Sequence, residues 1–287
     1  MARLRFAAEL VQRYAAGQDK ACPYCASTNG EIIGRKYFLL QAIRCSDCGL
    51  IFRYPKPDIK ASESYYQSDY DGGIVTTLPS PDVLRARLSE EFRGPGPGND
   101  YSPRIEMLKR LGGGPRLFEF GCSWGYGLWQ FRKAGFDAAG FEVSRPRAQY
   151  GRRELDLQIA SEKSDSVCAA GTYDVVFSTH VLEHIPDLAT TLDFLAGLLK
   201  PQGLLMIFCP NGGGTLAKTQ GLKWGPFLSE DHVNSLTADF LVSALKTRGL
   251  GDFRCATEPF ELPIPQWQAT SDEHLAGGEL LVLARRD

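Results

Sequence analysis

The chain has 287 residues, 43% hydrophobic and 23% charged, and its 32 Lys and Arg against 34 Asp and Glu leave a formal charge of -2. At about 100–200 residues per domain there is room for one large folded unit and a small one. The near-zero charge excludes a chain-wide nucleic-acid clamp, and apolar runs as short as Gly203 to Cys209 exclude a membrane-spanning helix, which needs about 20 residues.

Residues 1–19 come first. Leu4, Ala7, Leu10, Val11 and Tyr14 fall at helical spacing, while Glu9 and Arg13 interrupt any apolar run. The expectation is an amphipathic surface helix packed on the body, not a signal peptide. A cytoplasmic, reducing location follows as an expectation, so disulfides are not expected among the eight cysteines.

Residues 20–57 carry Cys22-Pro-Tyr-Cys25, a 19-residue insert, and Cys45-Ser-Asp-Cys48-Gly49. Paired C-x2-C spacing reads as a structural zinc site. One tight turn aims each pair of sulfurs at a single ion, and four thiolates fill a tetrahedral Zn²⁺ shell with no open position. The insert holds Glu31-Ile-Ile and Tyr37-Phe-Leu-Leu on either side of Gly34. Both runs are expected as strands, which makes a zinc ribbon. Between Lys20 and Lys60 seven basic residues face three acidic ones, and four thiolates around Zn²⁺ offset half of that excess. Nucleic acid is therefore not the expected partner of the ribbon. Cys122, Cys168, Cys209 and Cys255 are scattered and read as small apolar residues.

Residues 58–100 read as a connector, punctuated by Pro79, Pro81 and Gly94-Pro-Gly-Pro-Gly98. Two short helical stretches are expected, near Ala61–Tyr66 and Asp82–Phe92. Tyr65, Tyr66 and Tyr70 could cover an active site or pack on the neighbouring domain.

Residues 101–287 change character. Arg116-Leu-Phe-Glu-Phe120 reads as a buried strand, Gly121-Cys-Ser-Trp-Gly125-Tyr-Gly127 as a loop, and Leu128 to Ala134 as a helix. Strand, glycine loop and helix together bring backbone N–H groups and a helix N-terminus against an anionic ligand. The next strand, Asp137 to Phe141, ends at Glu142, placed to bind ribose hydroxyls. The glycine order is not the G-x-G-x-x-G of dinucleotide folds, which disfavours a nicotinamide oxidoreductase. Tyr173 to Ser178 reads as a fourth strand, and Leu198-Leu-Lys-Pro-Gln-Gly203 as a helix end. Leu204 to Asn211 reads as a fifth strand, with Asp252 to Glu258 and Glu279 to Ala284 as a closing pair.

With Glu119 two positions ahead, the loop resembles motif I of the Class I S-adenosylmethionine-dependent methyltransferases, acid-x-G-x-G-x-G, with Ser123 at its middle glycine. Asp174-Val-Val, His180-Val-Leu-Glu-His184, Leu199-Lys-Pro-Gln-Gly203 and Glu230-Asp-His-Val-Asn-Ser-Leu-Thr237 resemble the small-molecule branch of that superfamily. Cys45 to Tyr54 with the following prolines and tyrosines resembles its zinc-ribbon members, which act in surface-sugar and natural-product pathways. The resemblance covers residues 20 to 287. It implies an α/β fold: a seven-stranded Rossmann-like methyltransferase sheet, mostly parallel with the last strand antiparallel, beside a small N-terminal zinc ribbon held by four cysteines. It implies S-adenosylmethionine bound by Glu119, Gly121, Cys122, Gly125, Gly127, Glu142, Val143, Ser178 and His180. It also implies a small-molecule acceptor, a sugar or another biosynthetic intermediate.

Methyl transfer from a sulfonium needs the nucleophile aligned with the methyl carbon, and a hydroxyl or acidic carbon also needs a base. His232 and His180 follow strands whose carboxyl ends open on the expected crevice, and are the catalytic candidates. Helix-entry packing and cofactor shaping are their alternatives. His184 is expected to pack or hydrogen-bond locally, His274 to be solvated, and no catalytic metal is expected. Two other functions stay open: an RNA methyltransferase docking its ribbon on RNA, and a non-catalytic cofactor-binding scaffold. Oligomeric state is not legible.

Overall fold

The computed structural model describes residues 2–57, 67, 77–94, 100–268 and 275–287. Tyr65, Tyr66, Tyr70, the helical stretch expected near Ala61–Tyr66, and His274 lie outside the described residues.

Helix α1 (Ala2–Ala15) precedes three short strands, β1 (Gly30–Lys36), β2 (Leu40–Cys45) and β3 (Ile51–Tyr54), which pair antiparallel in chain order. Leu10 of α1 is buried with Leu40, Ala42 and Ile51 of the ribbon and with Phe227 and Leu228 from far along the chain. Full burial of such a leucine is worth about 1.5–3 kcal/mol. One sequence expectation fails here. Tyr37 and Phe38 are not in a strand but form the turn between β1 and β2, with φ of 54° and 60°. Lys36 pairs with Leu40, so Tyr37 to Leu39 form a three-residue hairpin loop, whose first two residues are left-handed. Their β propensity is overridden, and Phe38 stands 96% exposed at the tip.

The body is a seven-stranded sheet in the order β10-β11-β8-β7-β4-β5-β6. Its strands are β4 (Arg116–Phe120), β5 (Asp137–Phe141), β6 (Gln158–Ala160), β7 (Tyr173–Thr179), β8 (Leu199–Pro210), β10 (Leu250–Thr257) and β11 (Glu279–Arg286). The pairs among β4 to β8 are parallel, whereas β11 runs antiparallel to both β8 and β10. This is the expected sheet. Side chains alternate between its faces: Leu117 and Phe177 pack on one side, Phe118 and Val176 on the other. Helices α2 (Pro81–Ser89), α3 (Ser102–Arg110), α4 (Tyr126–Lys133), α5 (Arg145–Leu155), α6 (Leu188–Leu198) and α8 (Ala238–Lys246) surround it, with a short α7 (Thr215–Gln220) after β8.

One strand boundary differs from the sequence expectation. Strand β8 begins at Leu199, not Leu204: Tyr173 pairs with Leu199, the register shifts, and pairing resumes at Val175 and Leu204. The bulge absorbs Lys200 to Gly203, with Gln202 in the left-handed region at φ 63°. Leu84 and Phe92, read as connector, are buried in the same core as Trp124. The ribbon is not separate either. Its β3 pairs with β9 (Asn234–Ser235) of the body, and Cys22, Phe52 and Tyr54 share one apolar cluster with Phe120 and Leu236. Among the described residues, no helix is long and apolar enough to cross a membrane.

Candidate active site and metal centre

The cofactor end grows out of β4. Gly121 and Cys122 donate to the Phe141 carbonyl, tying the loop to β5. Gly125 takes a φ of 89° ahead of α4, a conformation that costs a side-chain-bearing residue about 1–2 kcal/mol. A Cβ on Gly127 would stand 2.3 Å from the Tyr101 ring and 2.7 Å from Glu119 Oε1, so only glycine fits. Ser123 holds the left-handed φ, 52°, that explains why this position favours glycine.

Two carboxylates bracket the loop. Glu142 is buried, and its Oε2 accepts from the Ser123 amide at 2.9 Å while Oε1 accepts from the Ser144 amide at 2.7 Å. Burial raises its pKa against those bonds and the Arg147 charge. Each oxygen keeps a lone pair for a ribose hydroxyl. Glu119 is also buried; its Oε1 accepts from the Tyr101 hydroxyl at 3.0 Å, and Oε2 accepts no hydrogen bond from the described residues. Burial pushes this carboxyl up to about 8 despite Tyr101 and Arg104. Gln67 donates to the Val143 carbonyl at 2.6 Å and accepts from the Arg145 amide at 3.2 Å, so one connector residue reaches the rim beside Glu142.

One cleft is lined by Gly121, Ser123, Glu142, Val143, Arg147, His180 and His184, among others. It joins the expected cofactor residues to the histidine edge. Cys122 and Ser178 are buried behind it, and Trp124 is a core residue with no exposure. Asn211, just past the end of β8, spends its side chain on the Leu275 and Gly277 carbonyls and the Gly213 amide.

His180 ends β7 with a φ of 52°. Its Nε2 meets Glu279 Oε1 at 2.9 Å, and its Nδ1 lies 3.5 Å from Glu183 Oε1, an ion-pair distance longer than a good hydrogen bond. Burial pulls its pKa down, but the two carboxylates prevail and hold it up at about 9. At neutral pH it is a cation and not a base, although its side chain is half exposed.

His184 and His232 stand ring to ring, centroids 4.6 Å apart at 85°. Their meeting depends on the ribbon. The Arg53 amide donates to the Val233 carbonyl at 2.9 Å, and the buried Arg53 guanidinium donates to the Ser229 and Glu230 carbonyls. The Val233 amide donates to the Glu183 carbonyl, and Asn234 Nδ2 to the Ile185 carbonyl. These bonds zip the segment after α7 onto the turn after β7. The cluster Glu183, His184 and His232, 49 positions apart at its extremes, has one ligand atom from each residue within 4.8 Å of the others. The sequence reading expects no metal ligands among the histidines and holds no signal for this convergence. It also misses Tyr101 and Glu279, partners of Glu119 and His180. An acidic residue at the start of the final strand is the one available hint for Glu279.

The four ribbon cysteines meet in one cluster. Cys22 Sγ is 3.6 Å from Cys48 Sγ, Cys25 Sγ is 3.6 Å from Cys45 Sγ, and all four lie within 4.8 Å of one another. Zn–S bonds of about 2.3 Å at the tetrahedral angle put sulfurs about 3.8 Å apart, so the residues fit the ion. Crowding shows in the thiols: sharing with Cys48 draws the Cys22 thiol down and drives Cys48 up.

Comparison with known proteins matches residues 85–252 to a family described as a methyltransferase domain. A ubiquinone biosynthesis O-methyltransferase of Aromatoleum aromaticum is 28% identical over 125 residues, 40% of this chain and 52% of that protein. One of Methylococcus capsulatus is 28% identical over 173 residues, 58% of this chain and 66% of its own length. The chain thus spans about half the length of the first of these relatives. Among solved structures, an S-adenosylmethionine-dependent methyltransferase of Thermotoga maritima, described as a possible histamine N-methyltransferase, superposes with a TM-score of 0.50. Its identity is 14%, over 72% of this chain and 95% of that one, and shows likeness of fold alone. With more than half of the chain matched, and with the sheet order and glycine loop described above, the protein belongs to the methyltransferase-domain family and has the Class I S-adenosylmethionine-dependent methyltransferase fold.

Proposed function

We propose that the protein transfers the methyl group of S-adenosylmethionine to a small molecule, a sugar or another biosynthetic intermediate bearing a hydroxyl. The observation that carries this reading is the single cleft running from Glu142 and the glycine loop to His180 and His184. In it the ribose binds Glu142. The methionyl part lies along Gly121 to Gly127, with its ammonium toward Glu119 and its sulfonium toward the end of β7. Cys122, Val143 and Ser178 shape the walls. The acceptor enters from the His180 side. His232, reached through His184, is the base candidate; His180, held as a cation, positions its carboxylate neighbours or an anionic group of the acceptor.

The ribbon binds structural zinc and serves as a template that orders the His232 segment. A docking role on RNA has less support, because the ribbon's one visible use is inside the fold. Alignment of the acceptor with the methyl carbon supplies most of the rate, since an effectively unimolecular displacement can recover about 7–11 kcal/mol of barrier. The relatives from ubiquinone biosynthesis are named as O-methyltransferases, which supports an oxygen nucleophile here.

The test is methyl transfer from labelled S-adenosylmethionine to a panel of nucleotide-linked sugars, hydroxylated aromatics and aminated metabolites. Transfer to a hydroxyl compound is the expected result. Transfer to RNA with none to small molecules would replace this reading, and cofactor binding with no turnover on any acceptor would favour a scaffold.

A further inference from the structure

Around His232 the structure leaves an excess of lone pairs. Glu183 is 1% exposed, and neither of its carboxylate oxygens accepts a hydrogen bond from the described residues. A buried carboxylate in that state is strongly unfavourable unless a cation or a donor completes it. The neighbouring imidazoles do not supply the donor. His184 Nδ1 lies 3.1 Å from the Asp231 carbonyl oxygen, and His232 Nδ1 lies 2.8 Å from that of Pro226. A carbonyl oxygen can only accept, so each ring carries a proton on Nδ1, and the nitrogen left to offer a lone pair is Nε2. His184 Nε2 is 4.0 Å from Glu183 Oε1. His180 Nδ1 stands off from Glu183 Oε1 at 3.5 Å, and its Nε2 makes its short contact with Glu279 instead.

We infer that Glu183, His184 and His232 hold a divalent transition-metal ion, of the Zn²⁺ or Fe²⁺ type, beside the acceptor end of the cleft. Two imidazoles and one carboxylate are a ligand set that suits these ions and leaves coordination positions open. Backbone carbonyls fix both rings in the tautomer a metal requires, the usual outer-shell arrangement for metal-bound histidine. Donors around a tetrahedral ion at about 2.1 Å stand about 3.4 Å apart. The three present lie within 4.8 Å of one another, so approaches of at most about 1.4 Å bring them to that spacing. Unlike the ribbon site, this one is built from three ligands and borders the cleft through His184.

The inference deepens the proposed function, making His232 a ligand in place of the base, and rests on that function for one point: the open position faces the acceptor. There the ion would take an acceptor hydroxyl as ligand and ease loss of its proton to water. The oxygen lone pair then forms the new C–O bond as the S–CH3 bond breaks, and the sulfur leaves with that pair as the thioether.

Cobalt(II) is the probe. The purified protein, with ribbon zinc retained and loosely held metal removed by a mild chelator, is titrated with Co²⁺ and followed by absorption. S-adenosylhomocysteine binding is measured by calorimetry on the same samples. The expected result is one equivalent of bound Co²⁺, with visible bands of nitrogen and oxygen ligation and without the near-ultraviolet sulfur charge-transfer band. Glu183→Gln and His232→Gln should lose those bands while still binding S-adenosylhomocysteine, which shows that they are folded. No Co²⁺ uptake by protein that binds S-adenosylhomocysteine would overturn the metal site and leave the methyltransferase reading standing. So would a sulfur band, which places the ion in the ribbon, or bands unchanged in both variants. Co²⁺ uptake as expected in protein that binds no S-adenosylhomocysteine would instead keep the site and overturn its catalytic setting.

Discussion

At the glycine loop, Glu142 is buried with each carboxylate oxygen facing a backbone amide, Ser123 on one side and Ser144 on the other. Beside His184, which lines the opposite edge of the same cleft, Glu183 is buried as deeply, yet neither oxygen accepts a hydrogen bond from the described residues, and two imidazoles stand beside it. The first corner is built mainly from β4, its glycine loop and the end of β5, with Tyr101 as partner of Glu119. The second is assembled from the turn after β7 and the segment before β9, which the zinc ribbon holds through β3 and Arg53. A cofactor shared by a large family needs a standard cradle that local backbone can supply. A particular acceptor needs groups gathered from far apart, and those groups depend on distant scaffolding.

Breaking the scaffold gives the largest effect. A closed zinc site contributes its binding free energy to folding, apparent values being about 10–16 kcal/mol in zinc-finger peptides. Cys25→Ser should lose the ribbon zinc by metal analysis and drop turnover to background, because the His232 segment loses its template. Binding of S-adenosylhomocysteine should survive within a few-fold. Equal loss of both would mean that the two corners are not built independently.

Removing one group at the second corner is next. As a base or as a ligand, His232→Ala should lower turnover by about 10²–10⁴, with cofactor affinity nearly unchanged. A fall in melting temperature with turnover kept within a few-fold would reduce His232 to packing.

The first corner should announce itself through a proton. Burial holds Glu119 up at about 8, so at pH 7 its carboxyl is largely protonated in the free protein. A cationic ammonium placed beside it favours the carboxylate and expels that proton. Calorimetry in buffers of different ionisation enthalpy should report about one proton released per ligand near pH 7, fading above pH 8 and absent in Glu119→Gln. The same raised pKa makes this carboxyl's contribution to stability full below the ordinary glutamate range, near 4.5, and lost as pH rises toward 8. A ligand-free protein whose stability rises over that window through Glu119 would contradict the assignment.

The smallest effect sharpens the local side of the comparison. Ser123 occupies a left-handed backbone at φ 52°. Ser123→Gly should relieve that strain and stabilise the protein by about 1 kcal/mol, offset in part by a more flexible unfolded chain. Thermal or denaturant unfolding measures it.

What can be read from the sequence follows the same division. Cys22, Cys25, Cys45 and Cys48 announce their site by pair spacing, and Glu119, Gly121 to Gly127 and Glu142 by their order along one strand–loop–strand unit. The sheet is legible because β4, β7 and β8 are apolar runs bounded by turns. Tyr37 and Phe38 mislead because intrinsic strand preference says nothing of the hairpin tip, where two left-handed residues are needed. The β8 start moves because a bulge lets Lys200 to Gly203 stay in the ladder. Glu183, His184 and His232 cannot be grouped, since nothing local in either segment records that Val233 and Asn234 bond to Glu183 and Ile185. His180 is visible as a residue, but its charge state is not, because that is set by Glu183 in the following turn together with Glu279, 99 positions away.

Calorimetric titration of S-adenosylhomocysteine into the wild-type protein, Glu142→Ala and His232→Gln side by side tests the division of the cleft most directly. Hydrogen bonds to a charged group are worth about 1.5–3 kcal/mol. The account therefore predicts a roughly tenfold to hundredfold loss of affinity in Glu142→Ala and a wild-type value in His232→Gln. Unchanged affinity in Glu142→Ala, or a loss confined to His232→Gln, would contradict it.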